Sequence, residues 1–421
     1  MKKLYNTRTQ RIDEFRPQGD PITLYTCGIT PYDTTHLGHA FTYSAVDVLI
    51  RFLESQGHSV MYVQNVTDID DDILRKAREV GTDWQQLGVE WTLHFIRDMQ
   101  SLNMCAPDYY PLATEMIPQI IEMVQTLLEK QLAYEREGNV YFSVERWPAY
   151  GDLSRVAPGQ MLAIANEHGN HPADPHKHNP IDFVLWQTQQ EGEPAWPSPW
   201  GPGRPGWHTE CSAMAKYFLG EQIDIHAGGA DLIFPHHESE AVQSEAATGR
   251  RPFVRYWMHV AMVGYQGEKM SKSLGNLVLV RDLLEEFTPD VVRLHLVQHH
   301  YRQPWEYEKA ELAESAKQLE LLLYALTRFG GHAEVLDAEA SRIAFAAALA
   351  DDLNTPQALK VLFQLAGEIT SAAQQGLQVN DAQDLLQSLG SVLGLRLDAE
   401  ATESSVMAGW NRHLRHIEGS E

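Results

Sequence analysis

Three groups of residues in this 421-residue sequence have the types and spacing to do chemistry. The first lies between Cys27 and His39, where His36 and His39 flank Gly38 just beyond a Pro/Asp/Thr turn. A glycine there lets a nucleotide approach the backbone, the amino end of a following helix favours phosphates, and imidazoles donate to phosphate oxygens as charge develops. The alternative reading is a turn with two surface histidines. The second group is the loop 267–275, where Lys269 and Lys272 stand among Met270, Ser271 and Ser273. Two lysines and two serines can clamp a triphosphate and stabilise its transition state; otherwise they form a solvated loop. The third group is Cys27, Cys211, His236 and Glu240. If 235–240 is helical, His236 and Glu240 are i and i+4 on one face, and two thiolates, an imidazole and a carboxylate make a tetrahedral zinc set. The two cysteines are far apart in sequence, so spacing alone leaves buried cysteines and surface polar residues as an open alternative.

The elements that must position these groups follow from periodicity. Residues 22–28, Ile-Thr-Leu-Tyr-Thr-Cys-Gly, read as a buried strand, 38–56 carry a helical pattern, and 59–64 read as a second strand. This order is a βαβ unit and predicts a parallel sheet at whose strand ends ligands bind. Helical patterns fill 70–135, with Asp70, Asp71 and Asp72 read as a helix cap and its charge-complementing first turn. From 138 to 205 the sequence turns rich in Pro, Gly, His and Trp, with short strand candidates at 140–144 and 181–186. Strands return at 222–227 and 256–263. After 280 the pattern is helical, and 319–326, 344–349 and 356–369 repeat apolar residues at bundle spacing. The expected class is α/β: a Rossmann-like catalytic domain with a parallel sheet, split into halves 1–137 and 206–280 by an insertion at 138–205, then a helical bundle at 281–421.

Composition narrows the function. With 43% hydrophobic and 21% charged residues the chain reads as a globular protein of several domains, and no apolar stretch reaches the roughly 18 residues of a membrane span. A cytoplasmic monomer without membrane attachment is expected. Three cysteines are too few for a disulfide framework, and Cys105 reads as core rather than ligand. A formal charge of −24 argues against a broad nucleic-acid footprint but leaves room for a local basic groove. His168, His171, His176 and His178 read as a solvated loop rather than a second metal site.

The first two groups together resemble a known family. His36-Leu-Gly-His39 and Lys269-Met-Ser-Lys-Ser273 are similar to the HIGH and KMSKS signatures of the class I aminoacyl-tRNA synthetases. Cys27, Cys211, His236 and Glu240 then fall on the zinc positions of the cysteine-activating branch, Cys211 within the segment 203–213 and His236 within 228–238. The resemblance implies one zinc ion per chain that reads the thiol of L-cysteine, and ATP as substrate with magnesium. It makes His36, His39, Lys269 and Lys272 the catalytic residues. It places the adenylate against Cys27, Gly28, Ile29, Thr30, Thr42, Asn65, Val66, Thr67, Trp207, Gly229, Ala230, Asp231 and Val263, with Ala230 where a serine is usual. Soft-thiolate binding would reject serine without editing.

Two acceptors of the activated cysteine stay open. Residues 27–40, the segment 161–172 with Glu167, Gly169 and Pro172, and His299-His-Tyr-Arg-Gln-Pro-Trp305 resemble the mycothiol-pathway ligase, which joins cysteine to the amine of glucosaminyl-inositol. Residues 331–421 hold five Lys/Arg against thirteen Asp/Glu, a composition poorly suited to gripping RNA, and only 25 residues follow Arg396 where the synthetase carries a basic module. Glu240 and residues 351–358 resemble instead the synthetase that acylates tRNA-Cys. The expectation favours the amino-sugar ligase, with cysteine–tRNA ligation as the alternative.

Overall fold

The computed structural model describes residues 1–32, 35–270, 275–332, 334–397 and 405–419. A hairpin of β1 (Lys3–Asn6) and β2 (Arg11–Glu14) leads into β3 (Ile22–Ile29), whose side chains are almost all buried. Helix α1 (Leu37–Ser55) and β4 (Val60–Val66) complete the βαβ unit. Then come α2 (Asp71–Val80), α3 (Trp84–Ser101) and α4 (Ile117–Glu129). Strands β5 (Ala133–Arg136) and β6 (Asn139–Phe142), helix α5 (Pro158–Glu167), and strands β7 (Phe183–Thr188) and β8 (Gly203–Pro205) form an antiparallel layer of their own. The main sheet resumes through α6 (Trp207–Leu219), β9 (Ile223–Gly229), α7 (Glu238–Thr248) and β10 (Val254–Val260).

Its order is β10-β9-β3-β4, parallel at every step. Strands covered on both faces are buried along nearly their whole length, as β3 and β9 are, and only β3 was read as buried from sequence. The architecture is the expected Rossmann-like α/β fold with a helical carboxy-terminal region.

Beyond the sheet, β11 (Val263–Tyr265) pairs with β12 (Glu268–Lys269) and with β13 (Trp305–Glu306), bracketing α8 (Val280–Glu286) and α9 (Pro289–Val297). Helices α10 (Lys309–Leu326), α11 (Glu339–Ala350), α12 (Thr355–Gln374), α13 (Asn380–Val392) and α14 (Ser405–Ile417) follow. They share one apolar core with the sheet. A buried ion pair of Asp47 on α1 with Arg293 on α9 fixes this junction, joined by Arg51 at 2.9 Å from Asp47. Asp352 clasps the chain's start to its far end, accepting from the Tyr5 amide, Tyr301 Oη and Arg302 Nε, each at 2.7 Å.

The structure departs from the helical reading of 70–135. Residues 109–112 run extended along β4, with Gln64 N–H donating to Tyr109 O at 3.2 Å and Val66 N–H to Pro111 O at 2.9 Å. Pro107 and Pro111 forbid a helix there, and the segment covers an otherwise bare sheet edge. Residues 256–263 divide into β10 and β11. No helix among the described residues is long and apolar enough to cross a membrane.

Candidate active site

A cavity of about 250 Å³ opens at the carboxyl ends of β3, β4 and β9. Its wall brings together Cys27, Gly28, Ile29, Thr30, His36, His39, Thr42, Asn65, Thr67, Trp207, Cys211, Gly229, Asp231, His236 and Val263. Val66, Ala230 and Glu240 are not on it; Val66 is fully buried in the core, and Glu240 sits behind the floor. Tyr32, Tyr43, Leu232, Ala261, Met262 and Met270 also line the cavity, and sequence reasoning did not single them out. Lys272 and the side chain of Lys269 lie outside the described residues.

The first turn of α1 builds one wall. His36 is its N-cap: Nδ1 accepts from Gly38 N–H at 3.1 Å and from His39 N–H at 3.4 Å. A nitrogen that accepts carries no proton, so a neutral His36 holds its hydrogen on Nε2, in the form that donates to an anion. The two imidazoles stack with centroids 3.8 Å apart. A Cβ on Gly38 would stand 2.9 Å from His36 Cε1. The glycine is therefore required for the histidine to fold back, a local reason that the nucleotide-approach reading did not contain. Gly28 is more constrained still, because a Cβ there would lie 1.5 Å from the Asn65 carbonyl oxygen.

Backbone bonds tie this wall to the lysine loop. Leu37 N–H donates to Val278 O at 2.8 Å and Val280 N–H to Thr35 O at 3.0 Å, just beyond the loop, while the β11–β12 pairing holds its other side.

The floor is a cluster of metal-ligating types. Donor atoms of Cys27, Cys211, His236 and Glu240 all lie within 4.8 Å of one another and all four residues are buried. Cys27 Sγ is 3.7 Å from Cys211 Sγ, 3.3 Å from Glu240 Oε1, and His236 Nε2 is 3.0 Å from the same oxygen. Zinc–sulfur bonds of about 2.3 Å place two thiolates of a tetrahedron about 3.8 Å apart, so the spacing fits zinc. His236 Nε2 has no aligned hydrogen-bond partner despite full burial, as a ligand nitrogen awaiting a cation would not. Residues 233–237 form a wide turn leading into α7, which keeps His236 and Glu240 four residues apart on the cavity side.

A second set, Cys27, His226, His237 and Glu240, shares two members with the first. The sequence reading missed His226, His237 and His259. The doubled His236-His237 was the one signal available.

Electrostatics agree with a cation site. Burial opposes charge on Glu240, yet His226 and His236 hold its carboxyl well below the usual range. Burial likewise opposes ionisation of Cys211, but the Cys27 thiol beside it and the neighbouring His236 ring bring it down to about 6. Burial and its neighbours push Cys27 up, so a positive ion is what would hold both sulfurs as thiolates.

Trp207 stacks on His236 at 4.2 Å and separates this cavity from a larger one of about 610 Å³. The larger cavity lies between α2, α5 and β8. Asp70, Asp71, Asp72, Glu167, Asp174 and Asp231 line it against Arg75, Lys177 and Arg204. Asp70 Oδ1 accepts from Ile73 N–H at 2.8 Å, which makes it the expected helix cap. The four insertion histidines do not form a metal cluster among the described residues; His178 stacks instead on Tyr134 at 3.8 Å.

Comparison with known proteins gives the family of the chain. Residues 15–317 match the family model described as tRNA synthetases class I (C) catalytic domain, and 344–398 match a DALR domain. The chain belongs to the class I tRNA synthetases. A protein of Synechococcus elongatus named cysteine–tRNA ligase is 45% identical over 426 residues, 96% of this chain and 88% of that protein. One of Legionella pneumophila with the same name is 44% identical, covering 97% and 88%. Among solved structures, Mycobacterium tuberculosis methionyl-tRNA synthetase with methionyl-adenylate superposes with a TM-score of 0.64 at 17% identity, over 95% of this chain and 91% of that one, which supports the fold.

Proposed function

We propose that the protein activates L-cysteine with ATP as cysteinyl-adenylate and transfers it to tRNA-Cys. The observation that carries the first half is the convergence of Cys27, Cys211 and His236 on the floor of a cavity, with Glu240 directly behind them, while the wall holds His36 and His39. The names of the relatives support tRNA as acceptor over the amino-sugar favoured on motif resemblance.

In this reading, Cys27, Cys211, His236 and Glu240 would hold a zinc ion, which would supply a Lewis acid for the soft thiolate of the substrate cysteine. The cysteine carboxylate attacks the α-phosphorus of ATP and pyrophosphate leaves; magnesium would accompany ATP as its counter-ion. His36 and His39 donate to the phosphate oxygens from the helix end, and Lys269 and Lys272 neutralise charge from the loop. Cys27, Gly28, Ile29, Thr30, Thr42, Asn65, Thr67, Trp207, Gly229, Asp231 and Val263 cradle the adenylate, and Val66 and Ala230, off the cavity wall, do not. The ribose hydroxyl of the acceptor then attacks the adenylate carbonyl and AMP leaves. The division at 137, 205 and 280 follows the same reading, with the insertion facing the acceptor.

One observation favours the second acceptor. The larger cavity carries six carboxylates against three cations, and Arg75 and Arg204 are already paired with Asp72 and Asp71. That balance suits a small polyhydroxylated amine such as glucosaminyl-inositol better than a phosphate backbone. Supplying ATP and radiolabelled cysteine with either tRNA or glucosaminyl-inositol decides between them by which one becomes acylated.

A further inference from the structure

A chain of buried groups runs behind the metal-ligating floor. Cys27 Sγ on β3 is 3.2 Å from His237 Nε2, His237 Nδ1 is 2.7 Å from His259 Nε2 on β10, and His259 Nδ1 is 2.7 Å from Thr7 Oγ1. Thr7 sits in the β1–β2 turn, pinned by its own amide to Trp257 O at 3.0 Å. Exposure along the chain is 6% at Cys27, 0% at His237, 6% at His259 and 9% at Thr7. Both ring nitrogens of both histidines are thus engaged within the protein. A Cβ on Gly228 would fall 2.7 Å from His237 Cε1, so that strand position leaves room for the ring.

Donor accounting gives the chain a direction. A metal-bound Cys27 is a thiolate and only accepts, so His237 must hold its proton on Nε2. Its Nδ1 then accepts, which requires the proton of His259 on Nε2. His259 Nδ1 accepts in turn, and the one donor left for it is the Thr7 hydroxyl.

We propose that Thr7, remote from any substrate, is a positioning residue: through His259 and His237 it fixes the hydrogen bond that orients and stabilises the Cys27 thiolate. This rests on the reading of Cys27 as a metal ligand. It also selects between the two overlapping donor sets, because a His237 that donates through Nε2 cannot ligate through it, and the ion falls to Cys27, Cys211, His236 and Glu240. His226 supports the same set, its Nε2 donating to Glu240 Oε2 at 3.0 Å. Groups that orient ligands from behind are worth about 10–100-fold in metal affinity.

The test uses full-length zinc-loaded protein, with histidine nitrogen NMR assigned by His237→Gln and His259→Gln. The expected result is the Nε2–H tautomer at both residues. Thr7→Val is expected to weaken zinc binding about tenfold and to raise KM for cysteine more than it lowers kcat, with Thr7→Ser restoring both. An Nδ1–H tautomer at either histidine in the wild-type protein overturns the proposal, as does a Thr7→Val protein with unchanged zinc affinity. The tautomers and the zinc affinity are read without substrate, so they stand or fall separately from cysteine activation.

Discussion

The amide of Leu37 and the carbonyl of Val278 share a hydrogen bond of 2.8 Å, which makes the histidine-bearing helix start and the exit of the lysine loop one piece of backbone. Val280 continues this ladder through its bond to Thr35 and opens α8, where proline's fixed φ is tolerated. Val280→Pro should therefore keep the helix, lose one rung, and slow cysteine-dependent ATP–pyrophosphate exchange by about tenfold, since small displacements of catalytic groups have large effects. Zinc content should not change. Exchange at the parental rate would mean that the ladder does not position the loop.

Lys272→Ala should depress the same exchange by about 10²–10³-fold, the usual consequence of removing one group aimed at developing charge. KM for cysteine should move far less, because the proposed role of Lys272 is on the phosphates and not on the thiol. A change confined to KM would contradict a role on the phosphates.

Freshly purified protein should contain one zinc per chain by elemental analysis, and Cys211→Ala should lose it. Replacing zinc with cobalt should give intense sulfur-to-metal charge-transfer bands in the parent and much weaker ones in Cys211→Ala. Adding cysteine should perturb the parental spectrum; no response to cysteine would remove the thiol-reading argument.

Gly28→Ala should destabilise the fold by at least about 3 kcal/mol, because the added methyl meets a backbone carbonyl of the neighbouring strand and not a side chain that can swing away. Thermal unfolding would measure it. A shift of Tm by only a degree or two would show that β3 and β4 can part there without loss.

Burial pushes the Asp70 carboxyl up to about 7, with Asp72 and Asp71 adding to the effect against the Ile73 amide and Arg204. A carboxyl raised from its unfolded value near 4 binds its proton more tightly when folded. The stability it contributes is complete below about pH 4 and is lost as pH rises to about 7. Asp70→Asn keeps a capping side chain without the charge, so its advantage over the parent should grow across that window, by at most about 1.4 kcal/mol per pH unit, and less because the residue is only half-buried. Chemical denaturation at pH 4, 5.5 and 7.5 would reveal the trend, and parallel curves at all three values would refute it.

Much of this was legible before the fold was known. The apolar run of β3, the helix after it and β4 followed from periodicity, and the positions of His36 and His39 at a helix start followed from that order. The zinc set was readable only through resemblance, since β3, α6 and the turn before α7 meet by sheet order, which no local pattern encodes. The relay through His237, His259 and Thr7 was invisible for the same reason: each residue is unremarkable beside its own sequence neighbours. The extended stretch at 109–112 was overlooked because its prolines lay between strongly helical segments, and the weight of those segments overrode them. The glycine at 38 was noticed for nucleotide approach, and the structure adds a second, local reason for it. Its neighbour is a side chain two positions back, a contact that depends on the rotamer of His36.

The order in which the metal cage is assembled has a consequence for synthesis. Cys27 emerges from the ribosome early, but its partners on α6 and α7 follow only after the whole insertion has been translated, and β9 must slot in between β3 and β10 before the cage can close. A growing chain therefore carries Cys27 without its partner thiol, Cys211, until the insertion has been translated. Under the proposed zinc reading, capture waits for a nearly finished catalytic domain, so zinc supply should limit the yield of correctly folded protein late in synthesis.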